Sequence, residues 1–108
     1  MRLQRATKTA DAGNNYLKVE LEAGSILKVV NLYNETTPFL KATADIRKVG
    51  APDVAVRTIA LFHSAIQPAN KSIHWEGDIE LSEDFIVISG SFLGCTASDK
   101  IHMVVGYD

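Results

Sequence analysis

Four polar side chains recur at every second position of one stretch: His74, Glu76, Asp78 and Glu80. Carboxylates and an imidazole are the raw material of a calcium site or of paired acid–base chemistry. On an extended chain these residues share one face, with side chains about 7 Å apart along the strand. Ligands so spread along one straight strand do not converge without help from loops. A solvated, charged outer face accounts for them, and it also discourages edge-to-edge aggregation.

Other reactive side chains lack the company their chemistry needs. Cys95 is the sole cysteine, so no intramolecular disulfide forms and stability must come from packing. A thiol nucleophile needs a base beside it, and nothing in the sequence places His63, His74 or His102 there. Cys95 therefore reads as a small, partly buried residue in a reducing setting. The Cys/His spacing of zinc folds is missing. Ser64, Ser89 and Ser91 lie in no nucleophile elbow, and Gly50, Gly90 and Gly94 form no phosphate loop. The sequence predicts no catalytic residue, no metal site and no cofactor.

Trp75, Tyr33 and Tyr107 are the raw material of an aromatic platform for a sugar. Trp75 shares its face with Ile73, Ile79 and Leu81, however, which makes core packing the more economical reading. Gly77 in the same strand marks a bulge, or room made for the Trp75 ring. His102, flanked by Ile101 and Met103, is expected to point outward like His74.

The elements that must carry these residues are strands. Ile73–Leu81 alternates apolar or Gly with charged or His throughout, the two-residue period of a strand with one face on a core. Leu17, Val19 and Leu21 alternate with Lys18 and Glu20. Ile26–Tyr33 is richer in apolar residues and so more buried. Between Phe39 and Val49, Leu40, Ala42, Ala44 and Ile46 take one face, and Lys41, Thr43, Asp45 and Arg47 the other. Val54–His63 is β-branched and favours a strand, with a helical rival through Ala55, Ile59, Phe62 and Ile66 and a possible helical turn near Ser64–Ala69. Phe85–Phe92 is apolar on both faces, as in a central strand. Gly94–Asp99 reads as a loop, and Ile101, Met103, Val105 and Tyr107 as the inward face of a last strand. The breaks between them hold turn formers such as Gly50-Ala51-Pro52-Asp53.

Seven to eight short strands at regular turn spacing predict an all-β fold, a single antiparallel β-sandwich of jelly-roll type. Residues 1–15 are polar, end in Ala12-Gly13-Asn14-Asn15 and read as a flexible N-terminal arm, with the sandwich spanning 16–108. The length of 108 residues suits one domain. A hydrophobic share of 46% excludes wholesale disorder. The net charge of −2 gives no electrostatic case for direct nucleic-acid binding. No run approaches the roughly 20 apolar residues that span a bilayer, and the N-terminus lacks the apolar core of a signal peptide. The expectation is a soluble protein with neither membrane segment nor export signal.

One resemblance adds to this. Gly24-Ser25-Ile26-Leu27 leads into Val30-Asn31-Leu32-Tyr33-Asn34. A Trp strand (Ile73–Leu81) is followed by the acidic turn Ser82–Asp84, the apolar strand Phe85–Phe92, the small-residue loop Thr96–Asp99 and the strand Ile101–Tyr107. This rhythm resembles small β-sandwich virion proteins of bacteriophages, of capsid-decoration, head-fibre or tail-associated type. The resemblance implies a non-enzymatic structural role in the virion, through self-association into a homo-oligomer and docking to a larger capsid or tail protein. It brings no catalytic residues. The residues expected to make protein contacts are Arg2, Arg5 and Lys8 on the arm and Tyr33, Phe39 and Val104 on outer faces. The rival expectation is a carbohydrate- or receptor-binding module with its specificity in loops at one end of the sandwich.

Overall fold

Inward-facing aliphatics from two sets of strands meet to form one core. A computed structural model describes residues 1–38, 40–63, 71–82 and 87–108, with the side chains at 52–54 and 60–63 outside that description. The elements are β1 (Arg2–Thr9), β2 (Gly13–Glu20), β3 (Ile26–Asn34), β4 (Lys41–Lys48), β5 (Ala51–His63), β6 (Ser72–Glu80), β7 (Val87–Cys95) and β8 (Lys100–Tyr107). They make two four-stranded sheets, ordered β1-β8-β3-β6 and β2-β7-β4-β5. Every pairing is antiparallel. This is the jelly-roll sandwich that the strand count and turn spacing predict.

The first sheet contributes Leu27, Val30 and Leu32 from β3 and Ile101, Met103 and Val105 from β8, all buried. The second contributes Leu17 and Val19 from β2, Ala42, Ala44 and Ile46 from β4, and Ile88 and Phe92 from β7. A bulge between Leu27 and Val29 shifts the phase of β3 by one residue, so that Leu27 and Val30 both face inward. At Gly90 side chains of the first sheet press directly on the backbone of β7. A Cβ there would stand 2.5 Å from Leu32 Cδ2 and 3.0 Å from Met103 Sδ, so only glycine lets Leu32 seat against β7.

The two strands read as most apolar, β3 and β7, are indeed interior strands, each paired on both sides. Along β6, Ile73, Trp75 and Ile79 pack against the core while His74, Glu76, Asp78 and Glu80 are exposed. Gly77 makes room for Trp75: a Cβ at that position would meet the indole Cζ2 at 2.6 Å. Residues 51–63 form a strand rather than the rival helix. The turn expected near Ser64–Ala69 lies outside the described residues.

Four expectations need correction. Residues 2–9, read as part of a flexible arm, form β1, paired to β8 from Arg2↔Tyr107 to Thr9↔Lys100. As an edge strand β1 covers little core, with Ala6 alone of its residues packing there, so it carries no apolar alternation. Its strand character comes from the ladder groups that β8 offers. β2 starts at Gly13, inside the predicted turn cluster, and β7 runs through Gly94 to Cys95, leaving the turn to Thr96–Asp99. Leu40, assigned to the inward face with Ala42, is 56% exposed and lies over Gly94, ahead of the strand proper.

Candidate functional site

Among the described residues the side chains named for chemistry stand apart, and those of His63 and Ser64 lie outside the description. On the exposed face of β6, Asp78 pairs with Lys28 of β3, and His74 Nε2 lies 2.9 Å from Glu76 Oε1. The hydrogen bond from Lys28 to Asp78 holds the ammonium pKa above its ordinary value. Among the described residues no three His, Cys, Asp or Glu side chains stand where they could hold a metal ion. Cys95 is buried, and desolvation pushes its thiol pKa up, away from the reactive thiolate.

The three aromatics are dispersed too. Trp75 leans on the core, and Tyr107 is buried with the Arg2 guanidinium 4.7 Å above its ring centroid. Gln4 donates to the Tyr107 hydroxyl at 2.9 Å. Tyr33 lies on the outer face of the first sheet, stacked on His102. His102 does turn outward, yet it is buried there. Thr7 Oγ1 sits 3.0 Å from its Nδ1, and Glu35 Oε1 lies 3.6 Å from its Nε2.

The expected contact residues divide by strand alternation. Arg5 and Val104 are register partners on the outer face of the first sheet, one row from Tyr33 and His102. Arg2 and Lys8 pair with Tyr107 and Ile101 and so lie on the opposite side of β1. Phe39 lies outside the described residues. Beside Arg5 the outer face is apolar. Met1 and Leu3 are largely exposed, and Met1, Leu3 and Val29 crowd over Gly106. Sequence reasoning missed this patch because residues 1–15 were read as an arm with no sheet behind it.

A second feature lies on the outer face of the other sheet. Asn14, Tyr16, Lys41, Thr43, Ser91, Phe92 and Leu93 line an open groove of about 240 Å³. Tyr16, Ser91 and Thr43 occupy one row across β2, β7 and β4. Lys41 and Leu93 are partners in the next row. Tyr16 stands 60% exposed on the edge strand, above short hydroxyl side chains on the strands beside it. Sequence reasoning missed Tyr16, whose available signal is an aromatic just before the alternating Leu17–Leu21 stretch, in phase with its outward residues.

No protein-family model matches the sequence, and no curated protein sequence matches it either. Solved structures do match in fold. A chain of the acid-stable capsid of the Helicobacter pylori bacteriophage KHP30 superposes with a TM-score of 0.65 at 16% identity, covering 98% of this chain and 85% of that one. A capsid chain of cyanophage Pam1 gives 0.59 at 14% identity, covering 98% and 82%. Chitosan-binding module 1 of a chitosanase/glucanase from Paenibacillus sp. IK-5 gives 0.62 at 12% identity, covering 94% and 76%. At these identities the likeness is one of fold, and the fold is shared by phage capsid proteins and carbohydrate-binding modules.

Proposed function

We propose that this chain is a non-enzymatic structural component of a phage virion. It would self-associate and dock to a larger capsid or tail protein through the outer face of the β1-β8-β3-β6 sheet. The observation that carries this reading is the Met1–Leu3–Val29 patch over Gly106, continuous with Val104 and Arg5. Leu3 is 64% exposed on a strand whose outer edge has no partner among the described strands. Exposed apolar surface at a free sheet edge is what copies or a shell protein would cover. The fold shared with phage capsid chains supports the same reading, as does the resemblance in sequence rhythm. Tyr33, Arg5 and Val104 would border the contact, and Arg2 and Lys8 would meet an acidic partner beyond the β1 edge.

The test is the mass of the purified chain by size exclusion with light scattering, beside Leu3→Asp. A closed oligomer that falls to monomer in the variant is the expected result. A monomer at high protein concentration, unchanged by Leu3→Asp, would overturn self-association through this face.

A further inference from the structure

The geometry points to a saccharide-binding site in the Tyr16 groove, suited to a polysaccharide containing uronic acids. The groove belongs to the sheet opposite the apolar patch, so this inference does not depend on the assembly reading.

A pyranose ring has an apolar face of C–H groups and a rim of hydroxyls. It needs a flat, amphipathic surface for the first and short polar groups for the second. Tyr16 supplies the surface, held at the margin of the sheet by β2. Strands lie about 4.8 Å apart, which sets Tyr16 about 10 Å from Thr43 across the Ser91 strand. A sugar ring resting on Tyr16 would therefore reach over the hydroxyl row. Thr43 Oγ1 and Ser91 Oγ are 2.5 Å apart, so one O–H bonds the other residue's oxygen and the second is left for another acceptor. Asn14 adds an amide from the bulged end of β2, where the register slips between Gly13 and Asn15. At about 240 Å³ the groove is smaller than the roughly 300–1,000 Å³ typical of drug-sized ligands, which suits one or two rings of a longer chain lying across an open face.

Charge selects the class of sugar. Lys41 lines the groove, no carboxylate does so among the described residues, and on the same face of β2 the exposed Lys18 stands between Tyr16 and Glu20. The nearest acid on β4, Asp45, is engaged by Arg47 at 2.9 Å and Thr58 at 3.1 Å. A carboxylate-bearing ring is matched by this surface, and a polyamine chain such as chitosan is repelled.

Isothermal titration of the full chain with oligogalacturonate, a neutral cello-oligosaccharide and a chitosan oligomer tests the site. The expected order is oligogalacturonate first and chitosan last. Tyr16→Ala should weaken the oligogalacturonate affinity about tenfold, the scale of one lost aromatic contact. Lys41→Gln should abolish the preference for oligogalacturonate over the neutral sugar. Both residues are exposed, so thermal melts and oligomeric mass should match the parent, which separates loss of this site from loss of assembly. No heat with any of the three sugars, a preference for chitosan, or an affinity unmoved by Tyr16→Ala would each overturn the inference.

Discussion

Asn34 Nδ2 donates to Asp99 Oδ2 at 3.0 Å, tying the end of β3 to the turn before β8. The same carboxylate accepts from Thr36 Oγ1 at 2.7 Å and from the Thr96 amide at 2.9 Å. Asn34 Oδ1 meanwhile accepts from the amides of Thr36 and Thr37. Two connections distant in sequence are thereby folded around one buried amide–carboxylate pair. Asn34 and Asp99 are thus committed to holding these loops.

Asp99 makes the fold sensitive to acid. Hydrogen bonds from Asn34, and then from Thr36, lower its pKa from 3.8 to about 2. A depressed folded-state pKa means that the carboxylate stabilises the fold fully above its unfolded value, and that this contribution is lost as pH falls through the folded one. Thermal melts between pH 5 and pH 2 should show the parent losing stability at the acid end of that interval. Asp99→Asn should be less stable at pH 5 and show a smaller drop. Parallel pH profiles for the two proteins would refute this role.

Gly90 leaves the space that Leu32 and Met103 occupy. Gly90→Ala would drive a methyl into Leu32 and Met103 and should cost about 1–3 kcal/mol in urea unfolding. Coupling it with Leu32→Ala, which vacates the space, should recover part of that loss. An alanine variant as stable as the parent would mean that the sheets can part freely at this point.

Tyr33 and His102 stack at 4.5 Å between ring centroids, with 16° between their planes. Tyr33→Ala should destabilise the chain by about 1 kcal/mol beyond its lost contact area, while Tyr33→Phe keeps the stack and should lie close to the parent. Equal losses in the two variants would assign the effect to the hydroxyl instead. A contact role for Tyr33 would then use the edge of a ring already engaged on one face.

Much of the architecture was legible in the sequence, because strands that cover a core on one side must alternate. Ile73–Leu81 shows this most clearly, and even the space for Trp75 at Gly77 could be read. β1 escaped because an edge strand with one residue on the core has no apolar period to show. The phase slip in β3 escaped because a bulge leaves only an extra apolar residue in the sequence. The candidate surfaces were less legible still. Tyr16, Ser91 and Thr43 come from three separated segments, and the row they form exists only once β7 lies between β2 and β4.

The order of pairing has a consequence for how the chain reaches this state. Among the described strands β4 with β5 is the only ladder between consecutive ones, and around it nest β3 with β6, β2 with β7 and β1 with β8. Each outer ladder closes a longer loop than the one within it, at an entropic cost that rises with length. Folding can therefore begin at the β4–β5 hairpin and proceed outward, on the millisecond-to-second scale of all-β topologies. Unfolding would run in reverse. β1, the last strand laid down and the one bearing Leu3, would be the first to peel, so amide exchange should begin along the surface assigned to assembly.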